Sequence, residues 1–494
     1  MSSENTQKTR PPIIVVLGHV DHGKTTLLDR IRSTYIDRAR SVAEREAGGI
    51  TQAIGAYEIE RKGEKMTFID TPGHEAFSIM RACGAEVADI AILLVAANDG
   101  VKPQTKEAFQ CIQDAKIPYV VAINKIDLPE ANIEKTKNDL ALLGVYLEGQ
   151  GGNISWQGIS AKKGEGVEDL LDLLSLAAQM EDFTYDPASF AEGVVITSGK
   201  DSRRGMYAGV VLKNGTLRQG DVFATPSRAG NVKTLENFLG VQARSLEPSA
   251  PALMFGWSEV PKVGEVFFAG GDPPAGGDAE VLQARAREVE TKLHHREIST
   301  KTGEDVLRVV LKADESGSLE ALKGIVSKIA ESEGNLHIVR ADVGQVTETD
   351  IKHLLGKRGL LLGFRSKVDK AAMNLARGGH VRVYTSNIIY ELEDHLRACL
   401  REMFRKPVGA LAVLAIFGER HGNEQVVGGR VTLGVVRNQS GFEIQKEGAL
   451  LGEGKIKNLQ LKKKDVSEVL DGSECGMFVE STAPIEAGQE LFFF

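Results

Sequence analysis

The stretch "IIVVLGHVDHGKTTLLDRI" (residues 13–31) decides how the first third of the chain folds. Five apolar residues, Ile13–Leu17, form a run long enough for a buried strand. A glycine-bounded loop follows, and then apolar residues at helical spacing. Residues Gly18 to Thr25 fit G-x-x-x-x-G-K-[ST], in which Gly18, His19, Val20, Asp21, His22 and Gly23 wrap their backbone around phosphate oxygens. The start of the following helix adds favourable partial charge. Lys24 is placed to reach the β- and γ-phosphates and Thr25 to offer its hydroxyl to Mg²⁺, and Thr26 is counted with them as GTP-binding.

Three further segments follow in order. "DTPGH" (Asp70, Thr71, Pro72, Gly73, His74) comes after the strand candidate Met66–Ile69. Asp70 at a strand end suits Mg²⁺, through water, and Gly73 leaves an N–H for a γ-phosphate. "NKID" (Asn124, Lys125, Ile126, Asp127) comes after the strand candidate Tyr119–Ile123. Asp127 can accept from guanine N1–H and the 2-amino group, two donors that adenine lacks. Lys125 covers the base and Asn124 braces the loop. "SAK" (Ser160, Ala161, Lys162) supplies a backbone N–H to guanine O6. Each short match alone is commonplace, but the ordered set on successive strand ends reads as a GTP site. Between them, Thr51 in "EAGGITQ" can bind Mg²⁺ if the segment folds over the γ-phosphate, with Gly48 and Gly49 as hinge. His74 is the candidate for orienting the attacking water. No arginine stands out as a built-in catalytic finger, so hydrolysis is expected to await an external activator.

The 494 residues exceed one core. Hydrophobic content of 42% and charged content of 26% are globular values, and a net charge of −8 leaves only local basic patches for nucleic acid. Four scattered cysteines argue against a disulfide framework or a zinc site and fit a reducing cytoplasm. The longest apolar run, Ile90–Ala97, is too short to span a bilayer and reads as a strand, Ile90–Ala96.

The expected organisation is a disordered tail at 1–10, a G domain at 11–182, a β-barrel at 187–272, a linker with a helix over Ala279–Arg296 at 273–304, a small α/β domain at 305–386, a connecting helix at 387–404 and a second β-barrel at 405–494. The fold class is therefore multidomain, α/β plus β. The second barrel is inferred from an internal echo at nearly constant offset. "GVV" recurs at Gly209 and Gly434, "GNVKTL" at Gly230 resembles "GKIKNL" at Gly454, and "MFGWSEV" at Met254 resembles "MFVESTA" at Met477.

"GHVDHGKTTLLD", "FIDTPGHEAF", "NKID", "SAKKGEGVEDLL", "LKADESGSLEAL", "SNIIYELEDHL" and "ECGMFVE" together resemble the translational GTPases, and most closely the bacterial initiation factor two family. The resemblance covers Pro11 to the C-terminus. It implies a monomeric factor that brings formylmethionyl initiator tRNA to the small ribosomal subunit and promotes joining of the large one. Other initiation factors would assist, and ribosome-stimulated hydrolysis would drive release. An elongation-type GTPase carrying an aminoacyl-tRNA is the alternative, and the eukaryotic and archaeal relatives are close within the family. In the last barrel, Glu474, Cys475 and Gly476 match the family's initiator-binding segment. Arg430 stands where many relatives have cysteine, and Lys462, Lys463 and Lys464 replace the usual basic–aromatic tract. The resemblance offers these seven residues as the initiator tRNA site. The N-terminal extension usual in bacterial members is almost absent here, and Ala53 and Cys83 replace a common histidine and arginine.

Overall fold

The computed structural model describes residues 7–36, 55–72, 77–201, 203–270, 277–289, 306–333, 336–356, 359–403, 407–446 and 449–494. They fall into two compact units divided between His395 and Leu396.

The first unit begins with a six-stranded sheet in the order Gly55–Arg61, Glu64–Asp70, Ile13–Gly18, Ile90–Ala96, Tyr119–Asn124, Trp156–Gly158. Strands from Glu64–Asp70 onward are parallel, and Gly55–Arg61 joins antiparallel. Ile13–Gly18 and Ile90–Ala96 are buried along their whole length, which is why they read as unbroken apolar runs. Helices Lys24–Tyr35 and Val167–Glu181 cover one face through Leu27, Leu28, Ile31, Leu170, Leu171 and Leu174. The edge strand Gly55–Arg61 has no counterpart in the sequence reading. It alternates buried Tyr57 and Ile59 with polar residues, and it turns into Glu64–Asp70 through Lys62 and Gly63, both at positive φ. The tail is shorter than expected, because Lys8–Thr9 pair with Thr184–Tyr185.

Residues Ala191–Ala269 form the first barrel. Its strands adjoin in the order Val222–Ala224, Val266–Ala269, Ala191–Asp201, Gly205–Asn214, Pro251–Trp257, Thr234–Asn237. The expected linker helix is Gly277–Val289, and Leu282 and Ala286 pack it on the barrel against Ala224 and Phe268. Its expected extension to Arg296 lies outside the described residues. A parallel four-stranded sheet follows in the order Leu336–Val343, Leu307–Ala313, Gly359–Phe364, Arg382–Ser386. Helix Ile389–Met403 leads on from it.

The second unit holds the second barrel. Its order is Gly441–Lys446, Glu490–Phe493, Gly409–His421, Glu424–Arg437, Glu474–Ser481, Ala449–Leu461, and Ala449–Leu461 pairs back with Gly441–Lys446. This is the strand plan of the first barrel. Two of the echoed segments match in register: Leu235 faces Met254 in one barrel and Leu459 faces Met477 in the other. The "GVV" pair does not: against the preceding strand Gly209 faces Thr197 in mid-strand, whereas Gly434 faces Gly409 at a strand start.

Candidate functional site

The phosphate loop leaves the central strand at Gly18 and enters its helix at Lys24. Glycine is required at both ends by close approach. A Cβ at Gly18 would lie 2.4 Å from the Leu94 carbonyl oxygen, and one at Gly23 would lie 2.4 Å from Asn124 Nδ2. Gly23 also sits at φ 92° and Asp21 at φ 64°. Lys24 is buried, and its ammonium donates to the carbonyls of Gly18 (2.9 Å) and His19 (2.8 Å). Burial pulls its pKa down to about 8, partly offset by the charge of Asp70. Val20 N–H donates to Gln104 Oε1 at 2.9 Å, which ties the loop to the helix Pro103–Ala115. His22 is fully buried against the edge of His19, with ring centroids 4.9 Å apart, and burial lowers its pKa to about 4, so it is neutral.

Asp70 ends the neighbouring strand in register with Val16, which puts a buried carboxylate beside the loop. Thr71 follows it, its hydroxyl donating to Val16 O at 3.0 Å. Gly48, Gly49, Thr51, Gly73 and His74 lie outside the described residues. Arg81, which the sequence reading passed over, is 1% exposed on the helix Ser78–Val87. It forms an ion pair with Glu107 at 2.8 Å and donates to Pro72 O at 3.5 Å. The only signal in the sequence was an arginine inside the otherwise apolar "SIMRACGA". Its pairing makes it an anchor of the Pro72 segment.

At the other end of the sheet edge, Ser160 Oγ donates to Asp127 Oδ1 at 2.7 Å, and this bond holds the carboxyl below the usual range. Asn124 spans the two ends: Nδ2 donates to His22 O at 2.8 Å, and Oδ1 accepts Ala161 N–H at 3.0 Å. The Ala161 N–H thus has a partner within the protein. Lys125 occupies φ 63°, turning the chain sharply after the strand.

The C-terminal candidates belong to the second unit. Strand alternation sends Glu474 and Gly476 outward and Cys475 inward. The Cys475 thiol packs in the barrel core, and burial raises its pKa to about 11. Glu474 faces Arg430 across the strands and pairs with it at 2.6 Å. Gly476 lies between Gly428 and Gln460, and a Cβ on it would meet nothing within 4 Å. Gln460 leads directly into the exposed hairpin of Lys462, Lys463 and Lys464. One wall therefore gathers Arg430, Glu474 and Gly476, with the lysines at its strand end. The sequence reading missed the next row on that wall: Phe417 (58% exposed) faces Val426 (40%), which faces Phe478 (37%). Phe417 and Val426 come from one hairpin and Phe478 from a strand about fifty residues further on, so no local pattern announces the whole row.

Among the described residues, no group of three or more His, Cys, Asp or Glu could hold a metal, and no helix is long and apolar enough to cross a membrane.

Family models match three segments: the elongation factor Tu GTP binding domain at residues 9–180, elongation factor G domain 2 at residues 190–270, and translation-initiation factor 2 at residues 282–397. Translation initiation factor IF-2 of a Nitratiruptor species is 40% identical over 98% of this chain and 58% of its own length. That of Rubrobacter xylanophilus is 38% identical over 98% of this chain and 71% of its own length. The chain therefore spans well short of the full length of these relatives. Among solved structures, GDP-bound aIF5B from Aeropyrum pernix aligns at TM-score 0.49 and 25% identity over 98% of this chain and 92% of that one. At 38% identity to the Rubrobacter factor over 98% of this chain and 71% of that factor, the chain belongs to the translation-initiation factor 2 family of translational GTPases.

Proposed function

We propose that this chain is a GTP-switched initiation factor. It recruits formylmethionyl initiator tRNA to the small ribosomal subunit in the cytoplasm, promotes joining of the large subunit, and leaves when the ribosome stimulates GTP hydrolysis. The observation that carries the nucleotide half is one continuous edge: Lys24 and Asp70 at its phosphate end, Asp127 held by Ser160 at its base end, and Asn124 bonded to both. Gly18–Thr26 would wrap the phosphates, Lys24 would neutralise them with a desolvated charge, and Asp127 would select guanine.

Mg²⁺ fits the residues present. The Thr25 hydroxyl and the Asp70 carboxylate are hard oxygen donors flanking the loop, and Mg²⁺ completes its shell with phosphate and water rather than with a protein cage. When bound, the ion neutralises charge developing on the phosphates. Thr51 would add a third oxygen from the segment hinged at Gly48 and Gly49, and Gly73 would meet the γ-phosphate. His74 would orient the attacking water.

The tRNA half rests on the family and on the wall of Arg430, Glu474 and Gly476. Its glycine floor admits a close backbone or aminoacyl group, and Lys462, Lys463 and Lys464 would neutralise acceptor-end phosphates. Filter binding of formylated against unformylated initiator tRNA tests it, with a clear preference for the formylated form expected; equal affinity overturns the recruitment reading. For the switch, His74→Ala is expected to keep GTP affinity and abolish ribosome-stimulated hydrolysis. Undiminished turnover removes His74 from the mechanism.

A further inference from the structure

Arg30 lies on the phosphate-loop helix, a turn and a half beyond Lys24, and its guanidinium reaches the base-end loop. Nε donates to Ala161 O at 3.2 Å, and Nη2 donates to Lys162 O. We infer that Arg30 is a positioning residue for guanine recognition, aiming the peptide N–H of Lys162 at the 6-oxygen of the base. This inference rests on the guanine site proposed above.

The argument is one of peptide geometry. In a planar trans peptide, the C=O and the next N–H point in opposite directions. Holding Ala161 O toward Arg30 therefore turns the Lys162 N–H away from the helix. Holding Lys162 O does the same for the Lys163 N–H, and that group donates to Ser160 Oγ at 3.2 Å. Ser160 in turn donates to Asp127. The adjacent Ala161 N–H is occupied by Asn124 Oδ1, so the Lys162 N–H is the donor left for the 6-oxygen. Gly164, at φ 86°, lets the loop turn back beside the arginine: a Cβ there would come 3.6 Å from Arg30 Nε. One side chain thus orients two successive peptides, one toward the base and one toward the serine that sets the selecting carboxylate.

The probe is GDP against 6-thio-GDP, which keeps the N1–H and 2-amino group read by Asp127 but carries a poor acceptor at position 6. Stopped-flow displacement on the full chain gives dissociation rates and affinities. Arg30→Ala is expected to speed GDP release about three- to tenfold, the loss of a hydrogen bond to the base. It should also shrink the affinity ratio of GDP over 6-thio-GDP toward one. Arg30→Lys, which can hold one of the two carbonyls, should restore part of that ratio. If GDP release is unchanged, or is faster with the ratio intact, Arg30 only stabilises the loop and the inference is overturned. Asp127→Asn tests the guanine site separately. A switch of preference to xanthosine diphosphate upholds it, and no switch removes the site itself, whatever Arg30 does.

Discussion

The two β-barrels share a strand plan and have opposite outsides. The first is built into its neighbours. Thr67, on the strand that ends in Asp70, donates to Ser249 O at 2.6 Å, and Ser249 Oγ donates to Pro11 O at 2.5 Å. Asp89 accepts from Arg10 at 2.5 and 2.7 Å and from Ile13 N–H at 2.8 Å, and Lys213 of the barrel stands 3.5 Å away. On the barrel's other side, Thr197 and Tyr207 donate to the buried Glu315 of the α/β domain. The second barrel instead turns Phe417, Val426 and Phe478 outward in one row. The same sheet geometry carries polar joints to its neighbours in one case and an exposed apolar row in the other.

The largest effect is expected at the knot that builds in the first barrel. Asp89→Ala leaves the buried Arg10 guanidinium and Lys213 without their anion, and removing one partner of a buried pair costs about 3–5 kcal/mol. Denaturant unfolding measures it. A loss under about 1 kcal/mol would break the contrast, because the knot would then contribute no more than a surface ion pair.

On the display side the ordering of stability and binding reverses. Replacing both Phe417 and Phe478 by serine is expected to change stability by no more than about 1 kcal/mol, since neither ring fills a core. Initiator tRNA affinity should fall at least about tenfold, as for exposed aromatic anchors. A large drop in melting temperature with affinity intact would make the row structural.

How much of this was legible in the sequence follows from the range of the interactions. Ile90–Ala96 was read to its exact ends because full burial on both faces leaves an unbroken apolar run. The phosphate loop was readable because strand, glycines, lysine and helix lie within one short segment. Gly55–Arg61 was missed because its alternation is that of an edge strand with one polar face. The inward thiol of Cys475 follows from period-two alternation once the strand is placed. Asn124 spanning His22 and Ala161, Arg81 on Glu107 and the Phe417–Phe478 row all depend on registers between distant strands, for which one sequence carries no local sign.

The other flank of the first barrel is sensitive to pH. Burial, and then the neighbouring charge of Asp314, push the Glu315 carboxyl above its ordinary value, while Thr197, Tyr207 and Arg365 pull the other way. A carboxyl raised in the folded state stabilises fully below its unfolded value of 4.5, and that contribution is lost as pH rises through the folded value. Glu315→Gln keeps the shape and cannot ionise. Its melting temperature should exceed that of the parent at about pH 8, with the gap closing toward about pH 4.5. A variant less stable than the parent at pH 8 would show that the joint needs an anion there.

The smallest effect lies in the second barrel's lysine hairpin, where local strain and charge act in opposite directions. Lys462 at φ 50° and Lys463 at φ 65° fill a two-residue turn whose left-handed backbone suits Asn-Gly. Two bulky residues held there cost about 1–2 kcal/mol relative to that pair. Replacing Lys462 by asparagine and Lys463 by glycine should therefore stabilise the unit by about 1 kcal/mol. The neighbouring Asp465 keeps its bonds from Asn458 (3.0 Å) and Gln460 (2.7 Å), so the hairpin register should hold. If the lysines meet phosphate, the same change should weaken tRNA binding and flatten its dependence on salt by about one to two charges. A gain in stability with unchanged salt dependence would assign the lysines to the solvated tip alone. A loss of both would mean that the strain of the turn is already offset by the charges around it.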